Sequence, residues 1–244
     1  MDRQKVRKLL LLISFAAFPI TVVWLAPAPP LMSLKSGVIN ISVIVILAVI
    51  ISGFFFRRSF CGWLCPGGGC QLVSSSLNDK RIQNQKLNWF RISMVVGWII
   101  AMILTFIKGG KIPILDIGNP GAGKFAASNI RYFLPYIPVV LFVFLFVSLF
   151  GRRGFCNRGC WIYPLLAFTT KAGRTMKTPS LYVKITDNKS CTNCKICTKK
   201  CPMSIDVAEN VQLFNKLPNH CIQCGICIDV CKKNVFSFSF GIEK

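Results

Sequence analysis

The sequence has few acids. Eight Asp and Glu stand against 30 Lys and Arg in 244 residues, a formal charge of +22. It has one histidine, His220, so a haem held by two histidines is excluded. Asp116 is the only acid between Asp79 and Asp187, and just ahead of Gly118 it reads as a turn residue rather than a proton acceptor. Charge of either sign is scarce, at 16% against 53% hydrophobic residues, with a mean hydropathy of +0.54. That balance argues against an ordinary soluble domain of this size. Alternation of polar and apolar residues is missing before Met176, which excludes a half-buried sheet from most of the chain. The basic excess would suit a nucleic-acid binder. Many of the cations flank long apolar runs instead, so no nucleic-acid partner is expected.

What is present begins with four uncharged runs: Leu9–Ala26, Gly37–Phe56, Ile92–Ile107 and Tyr132–Phe150. A membrane-crossing helix takes about 20 apolar residues. The expected fold class is therefore an α-helical membrane bundle of four transmembrane helices, followed by a small α+β domain. The cations Arg3, Lys5, Arg7, Lys8, Arg57, Arg58, Lys80, Arg81, Lys86, Arg152, Arg153 and Arg158 would lie on one side. Only Lys35, Lys108, Lys111, Lys124 and Arg131 would face the other. The positive-inside rule then gives a multi-pass protein of the cytoplasmic membrane with both termini cytoplasmic and the lipid bilayer as partner. Read instead as a signal peptide cleaved near Ala26-Pro27-Ala28, the first run leaves the rest of the topology unchanged. Composition divides the chain into a helical part at 1–170, a linker at 171–182 and a terminal domain at 183–244.

Thirteen cysteines need a chemical reason. Eight fall in two runs, Cys191-x-x-Cys194-x-x-Cys197-x-x-x-Cys201-Pro202 and Cys221-x-x-Cys224-x-x-Cys227-x-x-x-Cys231-Lys232. Two such runs are the signature of a bacterial two-cluster ferredoxin, in which the fourth cysteine of each run serves the other cluster. One [4Fe–4S] cluster would take Cys191, Cys194, Cys197 and Cys231, the other Cys221, Cys224, Cys227 and Cys201. Zinc knuckles are the alternative, but they close with paired C-x-x-C units and do not divide this way. Lys189, Lys195, Lys199, Lys200, Lys232 and Lys233 crowd the runs. They would either raise a cluster's potential or form a solvated basic face.

A second set comprises Cys61-Gly-Trp-Leu-Cys65-Pro66 after the second apolar run and Cys156-Asn-Arg-Gly-Cys160 after the fourth. The spacing puts both thiols of a pair on one face of a helical turn. Together Cys61, Cys65, Cys156 and Cys160 have the ligands for a third cluster, a different metal, a metal in transit or a redox-active thiol set. Cys70 reads as a small buried hydrophobe, and His220 as a polar neighbour of a cluster. Gly118-Asn-Pro-Gly-Ala-Gly123-Lys124 nearly matches a phosphate-binding loop but has Phe125 in the Ser/Thr place and no preceding strand.

The pair of Cys-x-x-x-Cys motifs after apolar runs, with Phe60-Cys61-Gly-Trp-Leu-Cys65-Pro66 the more specific, and the terminal two-cluster domain resemble the NapH-type membrane ferredoxins. Related proteins include MauN, the NosR carboxy-terminal region and CcoG/FixG. The resemblance implies electron transfer from quinol toward a partner iron–sulfur protein or a reductase subunit, as in nitrate respiration. The alternative is an assembly factor whose Cys61, Cys65, Cys156 and Cys160 handle a thiophilic metal while the terminal domain supplies electrons. Trp161 stands after Cys160 where the first motif has Pro66.

Overall fold

The computed structural model describes residues 2–37, 41–75, 78–82, 88–108 and 136–243. Asp116, the Gly118–Lys124 motif, Lys86, Lys111 and Arg131 lie outside the described residues. The chain starts with α1 (Arg3–Ala16), α2 (Phe18–Leu25) and α3 (Ala28–Ser36). A first trio follows: α4 (Ile41–Phe56), α5 (Ser59–Trp63) and α6 (Pro66–Ser74). After α7 (Asn88–Ile107) comes a second trio: α8 (Tyr136–Phe150), α9 (Gly154–Arg158) and α10 (Ile162–Thr175). The terminal part holds β1 (Ser180–Ile185), α11 (Ile196–Lys200), α12 (Val207–Leu213), α13 (Ile226–Val230) and β2 (Phe236–Gly241).

The two trios are a structural repeat. In each, a long apolar helix runs into a single cysteine-bearing turn and then a third helix. The turns close alike: Leu64 and Cys65 both donate their N–H to the Phe60 carbonyl, and Gly159 and Cys160 both donate to that of Phe155. The trios also exchange partners. The third helix of each packs on the first helix of the other, α10 on α4 and α6 on α8. Gly53 makes the α4–α10 approach possible, since a Cβ there would collide with Thr169 Oγ1.

The expected four-span bundle is corrected here. Among the described residues, no helix is long and apolar enough to cross a membrane. The first apolar run breaks at Ala17 into helices of 14 and 8 residues, because Pro19 has no N–H to continue α1. Helices α4 and α8 have 16 and 15 residues. In α7 the buried Arg91 leaves only Ile92–Ile107 uncharged, short of about 20 residues. The multi-pass membrane location, the cytoplasmic termini and the bilayer as partner rested on those spans and are corrected with them. The charges that set the orientation also have another role. Arg7, Arg57, Arg58 and Arg153 are buried, and their guanidinium groups meet backbone carbonyls, a carboxylate and aromatic faces inside the protein. Helices α7 and α8 keep an apolar face exposed at Ile103, Ile107, Leu141 and Leu145.

In the terminal part β1 and β2 pair antiparallel, with Ser180 opposite Gly241 and Ile185 opposite Phe236. The alternation anticipated only after Met176 thus becomes a two-stranded ribbon. Val183 and Ile185 close a core of Met203, Ile205, Val207, Val211, Ile222 and Val235. That core continues into Cys61, Ile162 and Leu166 of the two trios, so the terminal part and the repeats share one apolar interior. The segment between α10 and β1 runs only from Met176 to Pro179.

Candidate functional site

The two cysteine runs adopt one backbone twice. Asn193 and Lys195 in the first run have φ of 53° and 58°, and Gln223 and Gly225 in the second have 50° and 73°. Ser204 and Asn234, each three residues past the last cysteine, are also left-handed, at 56° and 51°. Each run then enters a five-residue helix, α11 or α13, that carries its third cysteine. The left-handed residues turn the chain around a point, so three side chains spaced by two residues converge.

Convergence crosses between runs. A cavity of about 220 Å³ is lined by Cys191, Cys194 and Cys197 of the first run and by Cys231 of the second. Cys201 of the first run lies among the second, where its charge acts on Cys221 and Cys227 and it feels Cys224. The crossed arrangement is the one that two [4Fe–4S] clusters need. Burial pushes the Cys221 thiol up to about 12 and Cys201 up to about 11, and raises Cys197 and Cys227 as well. These groups are neutral thiols near pH 7, and loading a thiolate-bound metal here releases protons. Soft sulfur donors without competing oxygen or nitrogen fit an iron–sulfur cluster.

The second run is fastened to the repeats, mainly through its backbone carbonyls. Arg58 Nη1 donates to the His220 carbonyl at 2.8 Å and Trp63 Nε1 to that of Gln223 at 3.0 Å. Gln4 Nε2 donates to the Cys224 carbonyl at 3.1 Å, and Arg3 pairs with Asp229. Gly62 sits so close to the Ile222 carbonyl that any Cβ would collide with it. His220, beside these arginines, is pushed down to about 4 by burial and then by Arg58 and Arg91, so its ring is neutral at pH 7.

The structure also brings Cys61 and Cys65 of the first repeat toward Cys156 and Cys160 of the second, near enough for their charges to interact. Burial raises Cys61 and Cys65 and pushes Cys160 up to about 12. Cys65 is the N-cap of α6 with Pro66 in its first turn, which suits proline's missing N–H. Cys70, the spare, is fully buried, and burial pushes its thiol up to about 12. Among the described residues, no three His, Cys, Asp or Glu come close enough to hold a single metal ion.

Three residues of this four-thiol site were invisible to motif reading. Gln71, buried on α6, donates to the Cys156 sulfur at 2.9 Å and accepts the Cys156 N–H at 3.2 Å. Arg153, from the second repeat, donates to the Cys61 carbonyl at 3.0 Å. Arg58 lowers the Cys61 pKa against the effect of burial. Gln71 and Arg153 meet partners distant in sequence, so no local pattern marks them, whereas Arg58 stands just ahead of Cys61; the only hint was arginine beside both cysteine motifs.

Comparisons with known proteins agree with the geometry. Residues 190–236 match the family model described as a 4Fe-4S dicluster domain, and residues 39–81 and 133–179 both match that of a 4Fe-4S binding domain. The double match falls on the two structural repeats. An uncharacterised protein of Methanocaldococcus jannaschii is 29% identical over 213 residues, covering 83% of this chain and 78% of that one. The ferredoxin-type protein NapH of Escherichia coli is 25% identical over 228 residues, 87% of this chain and 74% of its own. The methylamine utilization ferredoxin-type protein MauN of Methylobacillus flagellatus is 27% identical over 197 residues, covering 80% and 66%. No solved structure matches. The crossed cysteine runs, the repeated helical trios and these likenesses lead to one conclusion: the chain is a ferredoxin-type 4Fe–4S electron-transfer protein related to NapH.

Proposed function

We propose that the protein takes electrons from a quinol and passes them to an iron–sulfur partner or a reductase of the nitrate-reductase type. In this reading Cys191, Cys194, Cys197 and Cys231 hold one [4Fe–4S] cluster, and Cys221, Cys224, Cys227 and Cys201 hold another. Cys61, Cys65, Cys156 and Cys160 hold a third. When bound, such clusters supply one-electron chemistry. The protein's own residues set the order of the sites. Gly62 and Trp63, inside the Cys61–Cys65 turn, touch Ile222 and Gln223 inside the Cys221–Cys224 turn, and this apposition carries the proposal. Two thiol sites joined through touching backbones make a short route, and the buried arginines around them keep water out.

A cavity of about 300 Å³ lined by Arg91, Tyr163, Pro164, Phe168, Lys171 and Asn219 supports quinol entry at this end. It offers apolar and aromatic walls for a ring, with cationic and amide donors for its oxygens. Tyr163 is held between Arg58 and Arg91, whose guanidinium carbons lie 4.2 and 3.8 Å from the ring centroid. The cavity borders both thiol sites, because Tyr163 follows Cys160 closely and Asn219 precedes Cys221.

Iron content and electron paramagnetic resonance of anaerobically purified protein test this reading. About twelve irons per chain are expected, falling by about four in the Cys61→Ser/Cys156→Ser double variant. Reduced-cluster signals should appear with menaquinol as well as with dithionite. Signals seen with dithionite alone would remove quinol as the direct donor, and about eight irons in both proteins would remove the third cluster.

A further inference from the structure

The first cysteine run faces outward where the second faces in. Cys194, its neighbours Thr192 and Asn193, and Lys195 are all exposed, while Cys221 through Gly225 are all buried. The mouth of the first-run cavity is rimmed by Lys195, Lys232 and Lys233, every one exposed. Lys189, Lys199 and Lys200 extend the basic surface around it. Among the described residues close to it in sequence, Asp187 is turned onto Ser190 and the N–H of Lys189, and Asp206 caps α12 and accepts from Thr198. Glu209, the one further exposed carboxylate of α11 and α12, lines an adjoining hollow with Asp206 and the rim's own Lys195, and Asp229 pairs with Arg3, so the lysines still outnumber the acids around the mouth. The rim therefore keeps a net positive field at the one place where a thiol of the two runs is exposed to solvent.

We propose that this lysine rim is the docking surface for an acidic redox protein, which places its own cofactor against Cys194. The inference rests on the two-cluster reading of the runs but not on the third cluster or on quinol. Electron transfer needs edge-to-edge approach without a fixed, tight interface. A ring of like charges around an exposed cofactor edge gives fast, oriented and reversible encounter. Flexible lysines suit that use better than arginines, which would fix one bidentate geometry. The rim surrounds the cavity mouth and not a flat face away from it. A covering layer of anionic lipid headgroups would thus block the route that the exposed Cys194 opens.

Binding measured by surface plasmon resonance, with a small acidic ferredoxin as the probe, tests the proposal. The variants are Lys195→Glu/Lys232→Glu/Lys233→Glu and a control with equal charge change, Lys177→Glu/Lys184→Glu/Lys216→Glu, at exposed positions away from the mouth. Iron content and the visible spectrum check that each variant folds and loads. Lysine-to-glutamine changes at the same three positions replace the reversal if it does not fold. The rim variant should lose on the order of tenfold or more in association rate at low salt and most of its salt dependence. The control should stay within about threefold. Equal losses in rim and control variants would overturn the proposal by showing a general charge effect. So would unchanged probe binding by the rim variant, or rim-dependent binding to phosphatidylglycerol vesicles with none to the probe.

Discussion

The two cysteine runs have the same spacing, the same left-handed residues and the same short helix, yet opposite surroundings. Around the first, the residue after the second cysteine is Lys195, its side chain in solvent. Around the second it is Gly225, and a Cβ there would lie 2.9 Å from the Phe238 ring. The first run's loop is open and basic. The second is roofed by Arg58, Trp63 and Gln4 from the repeats. Local backbone is thus decided by the cysteine spacing, while the environment of each site is decided by what the rest of the chain lays over it. A duplicated motif has been divided into an inner and an outer site without any change to its own geometry.

Exchanging the distinguishing residues gives the largest contrast. Gly225→Lys should cost about 2–5 kcal/mol, from left-handed strain and from overpacking against Phe238. Lys195→Gly should stabilise by about 1 kcal/mol, because its backbone is already left-handed. Chemical denaturation of both variants reads the difference; equal costs would mean that the second loop is not closely packed. Next comes Gly62→Ala, which should destabilise by about 1–3 kcal/mol by pushing the Cys61–Cys65 turn off Ile222. Iron lost on mild chelation should then come faster from that variant than from the wild type. Trp63→Phe keeps an aromatic ring but removes the donor to Gln223 together with part of the indole's packing. It should cost about 1 kcal/mol and lower the thermal midpoint by a few degrees.

The smallest effect belongs to the exposed side. Asp187 is held below the usual carboxylate range by the Ser190 hydroxyl and by the N–H groups of Lys189 and Ser190. A carboxyl depressed in the folded state contributes stability above its unfolded pKa, and the contribution is lost as pH falls through the folded value. Asp187→Asn should therefore shift neutral stability slightly downward, and the difference from the wild type should vanish as pH falls through the folded value. A large shift would show that the first run's loop is less solvent-screened than its exposure implies.

The cysteine runs and the two Cys-x-x-x-Cys pairs were legible because their chemistry is written in local spacing. The crossed pairing was expected from the motif, and the structure sets Cys231 beside the first run and Cys201 beside the second. The helical bundle was misread for a definable reason. An apolar helix flanked by arginines marks a membrane span when the arginines face water, but the same string arises when the arginines turn inward. Arg58 reaches the His220 carbonyl, and Arg57 and Arg174 share Glu243, at 2.9 and 2.8 Å. Those partners lie far along the chain, and no local pattern tells a sequence reader which cations Glu243 meets. Gln71 escaped notice for the same reason, since its sulfur partner belongs to the other repeat.

The exchange of helices between the two trios also bears on how the protein is made. Each repeat contributes two of the four thiols, and each repeat's third helix rests on the other's first. Neither repeat holds all four thiols, and each apolar helix lacks the third helix of the other repeat until that counterpart arrives. Chain that has emerged only as far as Ser74 has Cys61, Cys65 and Cys70 but neither thiol of the second repeat. The four-thiol site thus acts as a coincidence test: its assembly is a record that both halves have been synthesised and have found each other.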